Sequence, residues 1–232
     1  YGGYPDAMEE AWKLFRKTAY SSLYSYPRFT WQTVIPDQRR ISKIDLSDDY
    51  LQAIRLYASC ADELKSSELY RNDLIEFVSY YVAAKAENFY KQALKDDSEN
   101  RVLAAQRNLQ QTVDLLMDVD RLLASHPLYR LEEWVELARN SGTTLQEKDA
   151  YEANAKRLIT SWGGIQEDYA ARFWSGLIKD YYIPRIQLYF TKDRDKIREW
   201  EEQWITSPWS NSTTPFDDPV KAALNLIEKT NK

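Results

Sequence analysis

An indole and a phenol on either side of a glycine turn can act on a ligand without any reactive group, by lying against one that has an apolar face and hydroxylated edges. Trp162 and Tyr169 stand in that arrangement, in the run Trp162-Gly163-Gly164-Ile165-Gln166-Glu167-Asp168-Tyr169. The two glycines let the backbone bend, and a turn between helices can lift its side chains toward a ligand instead of the core. Composition points the same way. The chain carries 17 Tyr and 8 Trp against 7 Phe, favouring rings with a polar tip that suit surfaces wet along one edge. Packing is the competing use. Trp12, Phe77, Phe89, Trp134 and Trp200 fall on helical stripes and read as core.

Other chemistries find little support. The one histidine, His126, sits in a Ser-His-Pro turn and reads as a surface residue beside a helix end, and the one cysteine, Cys60, reads as a small core residue. A metal site needs clustered ligands at coordination spacing, so none is expected, and no cofactor is implied. No glycine-rich phosphate loop follows a strand. Acidic pairs such as Asp48-Asp49, Glu132-Glu133 and Glu201-Glu202 occur in helix first turns or on polar faces, where dipole and solvation account for them. With 31 Lys and Arg against 36 Asp and Glu, the net charge of −5 argues against a nucleic-acid partner. No apolar run approaches the ~20 residues that cross a bilayer as a helix. The chain opens at Tyr1 without an initiator Met, so it reads as cut from something longer, any export signal lying upstream.

The elements that must position the turn are helical. Only 6 glycines occur in 232 residues, and apolar residues recur at three and four positions, which predicts an all-α, irregular bundle of about eight helices forming one domain over 1–232. Asp6 and Glu9 suggest a capping box for a first helix that carries Met8, Trp12 and Phe15 and ends near Tyr20. Residues 21–46, with Pro27 and Pro36, keep no period and predict a long ordered loop. Ser47-Asp48-Asp49 opens a second helix. A third runs from about Leu69 to Leu94, burying Phe77 and Phe89, and a fourth from about Glu99 to Ala124 with Ser98 as its cap; these three suggest an antiparallel bundle. A short helix covers 131–140 and ends at Gly142, and the next runs from Leu145 to the Gly163-Gly164 pair. After Asp168 a helix carrying Tyr169, Phe173, Trp174, Leu177 and Tyr181 should run into Pro184 and kink or stop there. Trp200 and Trp204 mark another, and Asp218-Pro219 caps the last.

One ordered series of short motifs runs through nearly the whole chain: Tyr4-Pro5-Asp6-Ala7, Ala11-Trp12, Tyr70-Arg71-Asn72-Asp73-Leu74, Leu122-Leu123-Ala124-Ser125, Trp134, Ala138-Arg139, Tyr151-Glu152, Asn154-Ala155, Arg157, Ile159-Thr160, Trp162-Gly163, Asp168-Tyr169-Ala170, Gly176-Leu177 and Asp180-Tyr181-Tyr182-Ile183-Pro184-Arg185. In this order they resemble the C-terminal helical domain of the α-N-acetylglucosaminidase glycoside hydrolases. In that family a small N-terminal domain and a (β/α)8-like barrel precede the helical domain, and the cleft lies between barrel and helices. The resemblance implies that the two catalytic glutamates of a retaining mechanism belong to the barrel, that this chain holds no catalytic residue, and that it is inactive alone.

The resemblance further implies that Trp162 and Tyr169 help to wall the pocket for a terminal N-acetylglucosamine, with Ile165 as the apolar loop contact. The loop is about two residues shorter here than in some relatives. Where many relatives place a polar sugar contact in the loop after the first helix, a histidine in animal members, this chain has Arg28, Trp31, Gln32 and several tyrosines without a clear counterpart, a departure that bears on specificity. The implied partners are the upstream barrel and the terminal sugar, and the implied location is extracytoplasmic, periplasmic or secreted in a bacterium and lysosomal in an animal. Two other classes fit the composition: a glycan-binding helical protein of the outer-membrane starch-utilisation type, and a helical-repeat scaffold, which would need a regular repeat that is not evident. The Asn211-Ser212-Thr213 sequon reads as a polar linker.

Overall fold

The computed structural model describes residues 1–21, 29–33, 47–162, 171–191, 195–210 and 212–230. Among them are ten α-helices and no strand beyond one isolated parallel bridge, Arg130 to Ser175. They are α1 (Asp6–Lys17), α2 (Asp48–Ser59), α3 (Ala61–Leu64), α4 (Glu68–Ser98), α5 (Val102–Leu123), α6 (Leu131–Asn140), α7 (Leu145–Leu158), α8 (Ile183–Phe190), α9 (Asp195–Thr206) and α10 (Pro219–Thr230).

The centre is the antiparallel hairpin of α4 and α5, with α1 and α2 packed together at one flank, α10 on α4, and the α6–α7 hairpin joined through α7 to α9. Buried Leu74, Val78, Tyr81, Leu116, Val119 and Leu123 interleave along the hairpin, as the predicted stripes require. Asn100, at φ 59°, makes its tight turn, a conformation that Asn tolerates better than most residues. Asp96 holds that turn by accepting from Gln92 (2.8 Å), Arg101 Nε (3.0 Å) and Asn108 (2.8 Å). The Arg101 guanidinium keeps the Asp96 carboxyl below the usual carboxylate range.

Several boundaries differ from expectation. Asp6 is the first residue of α1 and Pro5 stands at the cap position, so the predicted box does not form, and α1 stops at Lys17. Ser98 closes α4 instead of capping α5, whose cap position is Arg101. Phe89 is 37% exposed, not core. His126 is buried: Tyr129 lies edge-on at 4.6 Å, and its Nδ1 accepts from Leu128 N–H at 3.1 Å. Burial lowers its pKa. Cys60 is buried, as expected.

Ser47 and Ser67 cap α2 and α4 through the Tyr50 and Tyr70 amides. At α7, Thr144 and Glu147 form a full capping box. Glu147 accepts from the Thr143 hydroxyl at 2.5 Å, the Thr143 N–H at 2.8 Å and the Thr144 N–H at 3.1 Å, and these bonds, the hydroxyl's first, lower its carboxyl from 4.5 to about 2. A depressed acid stabilises the fold fully above its unfolded pKa, and that contribution vanishes as pH falls through the folded value. Glu147→Gln is therefore expected to lower the melting temperature near neutral pH, with the deficit shrinking between about pH 4.5 and about pH 2. Parallel thermal melts of both proteins across that window check it; a deficit that does not narrow contradicts it. Gly142 lies where the α6–α7 turn closes, and a Cβ there would stand 2.7 Å from the Lys148 amide.

Candidate functional site

Trp162 follows α7 by four residues and is 39% exposed. Buried charge fixes the helix that presents it. Glu152 and Lys156, both nearly inaccessible, pair at 3.0 Å. Glu152 also accepts from Arg139 (2.6 Å) and the Trp209 amide (2.5 Å), while Lys156 donates to Trp204 O (3.0 Å) and Ser207 O. Burial pulls the Lys156 pKa down. Trp134 Nε1 donates to Ala155 O at 2.9 Å, so α6, α7 and α9 are tied together as one unit. Thr160 is buried and bonds back to Lys156 O at 2.7 Å.

Beyond Trp162, residues 163–170 lie outside the described set, and with them Ile165 and Tyr169. The helix predicted after Asp168 is absent from the described part that follows. Residues 171–174 are irregular, Ser175 bridges to the Arg130 region through Ser175 N–H to Tyr129 O (2.8 Å) and Leu131 N–H to Ser175 O (3.0 Å), and helix resumes at Leu177. Gly176 makes the turn at φ 82°, where a Cβ would stand 3.1 Å from Trp209 and 3.2 Å from Leu131. Phe173 and Trp174 are therefore off any helix.

This helix start is capped from across the fold. Buried Asp120 of α5 accepts from Gly176 N–H (2.8 Å), Lys179 N–H (3.1 Å) and Thr213 Oγ1 (2.6 Å). It satisfies the donors that a helix N-terminus leaves open. Burial raises its pKa, opposed by the same three donors. Thr213 of the sequon is thus a structural bond, not a plain linker residue; Asn211 lies outside the described residues.

Pro184 neither ends nor interrupts the helix. Its missing N–H leaves the ladder one bond short, and the preceding residues Ile178–Tyr182 take a π turn in which Ile183 N–H reaches Ile178 O. Tyr181 and Tyr182 are both buried. The Tyr181 hydroxyl donates to Glu201 (2.8 Å), and the Tyr182 hydroxyl donates to Arg172 O (3.0 Å), pinning the chain just past the 163–170 segment.

Most of the long loop predicted after α1 lies outside the described residues, but one part of that segment meets the same strip. That part, 29–33, forms a 3₁₀ turn at Thr30–Gln32. Phe29 and Trp31 are buried and stack at 4.8 Å; Phe173 lies 5.8 Å from Phe29 and 6.3 Å from Trp31, and Tyr182 lies 5.5 Å from Trp31. Gln32 is buried too, taking the Phe29 amide at 3.1 Å and donating to Arg172 O at 3.4 Å. Trp31 and Gln32, which have no clear sugar-contact role in the sequence, fasten this turn. Arg28 lies outside the described residues. Glu87 in mid-α4 completes the fastening, accepting from the Thr30 amide with both oxygens at 3.0 and 2.9 Å and from the Thr30 hydroxyl. Spacing gave no sign of Glu87, because a glutamate in a long helix reads as solvated until its neighbours are known.

Two described pieces thus converge: the turn at 29–33, and the residues that follow 163–170. No group of three or more His, Cys, Asp or Glu among the described residues is placed to hold a metal, and no helix of the described residues is long and apolar enough to cross a membrane.

An all-helical domain, among the described residues, is the class that the geometry defines. The chain belongs to the alpha-N-acetylglucosaminidase (NAGLU) C-terminal domain family, whose model matches residues 1–229. Among similar proteins, human alpha-N-acetylglucosaminidase is 28% identical over 215 residues, which cover 86% of this chain and 28% of that protein. The family 89 glycoside hydrolase from Clostridium perfringens, solved with PUGNAc and, as a variant, with its substrate GlcNAc-alpha-1,4-galactose, superposes with a TM-score of 0.83 at 21% identity, covering 98% of this chain and 30% of the solved one. At that identity the superposition establishes the shared fold. The chain spans less than a third of the length of these relatives.

Proposed function

We propose that this chain is, over 1–232, the C-terminal helical domain of a retaining exo-glycosidase that removes terminal α-linked N-acetylglucosamine from glycans. In this reading it walls one side of the sugar pocket with Trp162, Tyr169 and Ile165 and packs on a catalytic barrel elsewhere in the same protein. The observation that carries it is the family match over 1–229, joined to a partly exposed indole at the end of a helix locked by buried charge.

The physical division of labour is plain. A ring against the sugar face and a phenol at its edge exclude water and fix the sugar, while two carboxylates on the barrel supply the acid and the nucleophile. The helical domain positions; the barrel reacts. An extracytoplasmic location accords with a glycan substrate.

The full-length protein is expected to release N-acetylglucosamine from an aryl α-N-acetylglucosaminide, and this 232-residue chain to release none. Half a pocket gains little binding free energy, so the chain alone should hold N-acetylglucosamine with a Kd weaker than about 1 mM in calorimetric titration. A full-length protein inert toward that substrate would refute the reading. So would tight binding by the helical chain alone, which is what a free-standing glycan-binding protein would show.

A further inference from the structure

We infer that Glu87 is a positioning residue for the sugar pocket, acting through Thr30 on the turn at 29–33 and on Arg172 and Phe173, which that turn holds. The inference rests on the pocket reading above. A carboxylate buried in the middle of a helix is costly unless donors meet it. At Glu87 the donors come from one place, the Thr30 amide at 3.0 and 2.9 Å and the Thr30 hydroxyl, with Lys91 one helical turn away at 3.3 Å.

That clamp fixes more than Thr30. Phe29 and Trp31, on either side of it, hold Phe173 by ring contacts at 5.8 and 6.3 Å, and Gln32 donates to Arg172 O at 3.4 Å. Arg172 and Phe173 follow the segment that contains Ile165 and Tyr169. Apolar contact alone is non-directional and lets stacked rings slide. A carboxylate that takes an amide on both oxygens and a hydroxyl on one sets the register of the turn, since charge-assisted bonds are short and directional. One carboxylate in the central hairpin is therefore the reference point for the turn at 29–33 and for Arg172 and Phe173, the described residues that follow 163–170. Pocket geometry is sensitive to such references, because a shift of about 1 Å in a contact can lower a rate by about 10²-fold.

The test uses the full-length protein and hydrolysis of an aryl α-N-acetylglucosaminide, with active sites counted by titration with a tight-binding N-acetylglucosamine-configured inhibitor. Glu87→Ala is expected to lower kcat/KM per titrated site by roughly 10- to 100-fold. Glu87→Gln keeps an acceptor for Thr30 and should fall less, by under about tenfold. Thr30→Val removes the hydroxyl donor, and its loss should not add to that of Glu87→Gln in the double variant, since both cut one link. A role in stability alone would lower the number of active sites and leave the rate per site unchanged, and that result overturns the inference. Should Glu87→Ala fail to fold, Glu87→Gln and Thr30→Val decide by the same rate per site: both unchanged overturns it, and non-additive losses support it. An inactive wild type overturns the pocket reading and this inference together, whereas an active wild type with unaffected variants overturns only the role of Glu87.

Discussion

Replacing Trp162 by alanine in the full-length protein is expected to lower kcat/KM on an α-N-acetylglucosaminide by roughly 10²-fold, equivalent to about 2.7 kcal/mol of transition-state stabilisation. The reason is the position of the ring. Trp162 lies past the end of α7 with 39% of its surface exposed, which leaves part of it for the proposed sugar contact. Truncation removes the apolar face that excludes water from the pocket and the surface that sets the height of the sugar against the reacting carboxylates. Trp162→Phe keeps a smaller ring and should lose only about tenfold. The far-UV spectrum and the unfolding midpoint should barely move, since substitutions away from packed cores shift stability by about 0.5 kcal/mol or less. Steady-state kinetics beside a denaturation curve separates the two effects. Wild-type rates from Trp162→Ala would remove the residue from the pocket.

The second large effect falls on stability. Arg185 and Glu201 pair at 2.9 Å with both side chains almost wholly buried, the Tyr181 hydroxyl donates to the same Glu201 oxygen at 2.8 Å, and the guanidinium stands 4.7 Å from the Tyr181 ring centre. The pair joins α8 to α9 behind the π turn that positions Tyr182. Glu201→Ala leaves a guanidinium buried without its carboxylate, which should cost about 3–5 kcal/mol. Arg185→Met combined with Glu201→Leu removes both charges and fills the space with apolar atoms, and should regain most of that loss. Urea unfolding of the 232-residue chain measures all three proteins. A Glu201→Ala variant within about 1 kcal/mol of wild type would contradict the buried-pair account.

Much of the fold was legible because local signals and tertiary demands agreed. Leu131 and Asn140 bound α6 as read, and Asp218 does cap α10, accepting from the Lys221 amide at 2.9 Å. The Tyr50, Ile54 and Tyr57 stripe of α2 is buried as its spacing requires. What could not be read was decided by residues distant in sequence. The helix expected after Asp168 begins later because Asp120, 56 residues before Gly176, supplies its cap, and because Ser175 is drawn into a bridge with the Arg130 region. Pro184 carries a strong stop signal, yet a π turn upstream absorbs the missing donor, and that depends on Tyr181 and Tyr182 both finding buried partners. Trp31 and Gln32 had no readable role in an aperiodic stretch, because the buried glutamate in α4 that fastens their turn lies 57 residues beyond Thr30 in sequence. The wrong reading of His126 has the same origin: a turn histidine is exposed by default, and only packing against Tyr129 buries it. The family resemblance was legible from the ordered motifs, and the match over 1–229 agrees with it. Of the three proposed sugar contacts only Trp162 falls among the described residues.

The most direct measurement of the central claim is a crystal structure of the full-length protein with a bound N-acetylglucosamine-configured inhibitor. The account predicts the sugar between barrel and helices, with the Trp162 ring and the Tyr169 phenol each within about 4 Å of it and the reacting carboxylates on the barrel side. A sugar seated wholly within the barrel, with Trp162 turned to solvent or covered by a surface that does not touch the ligand, would contradict it.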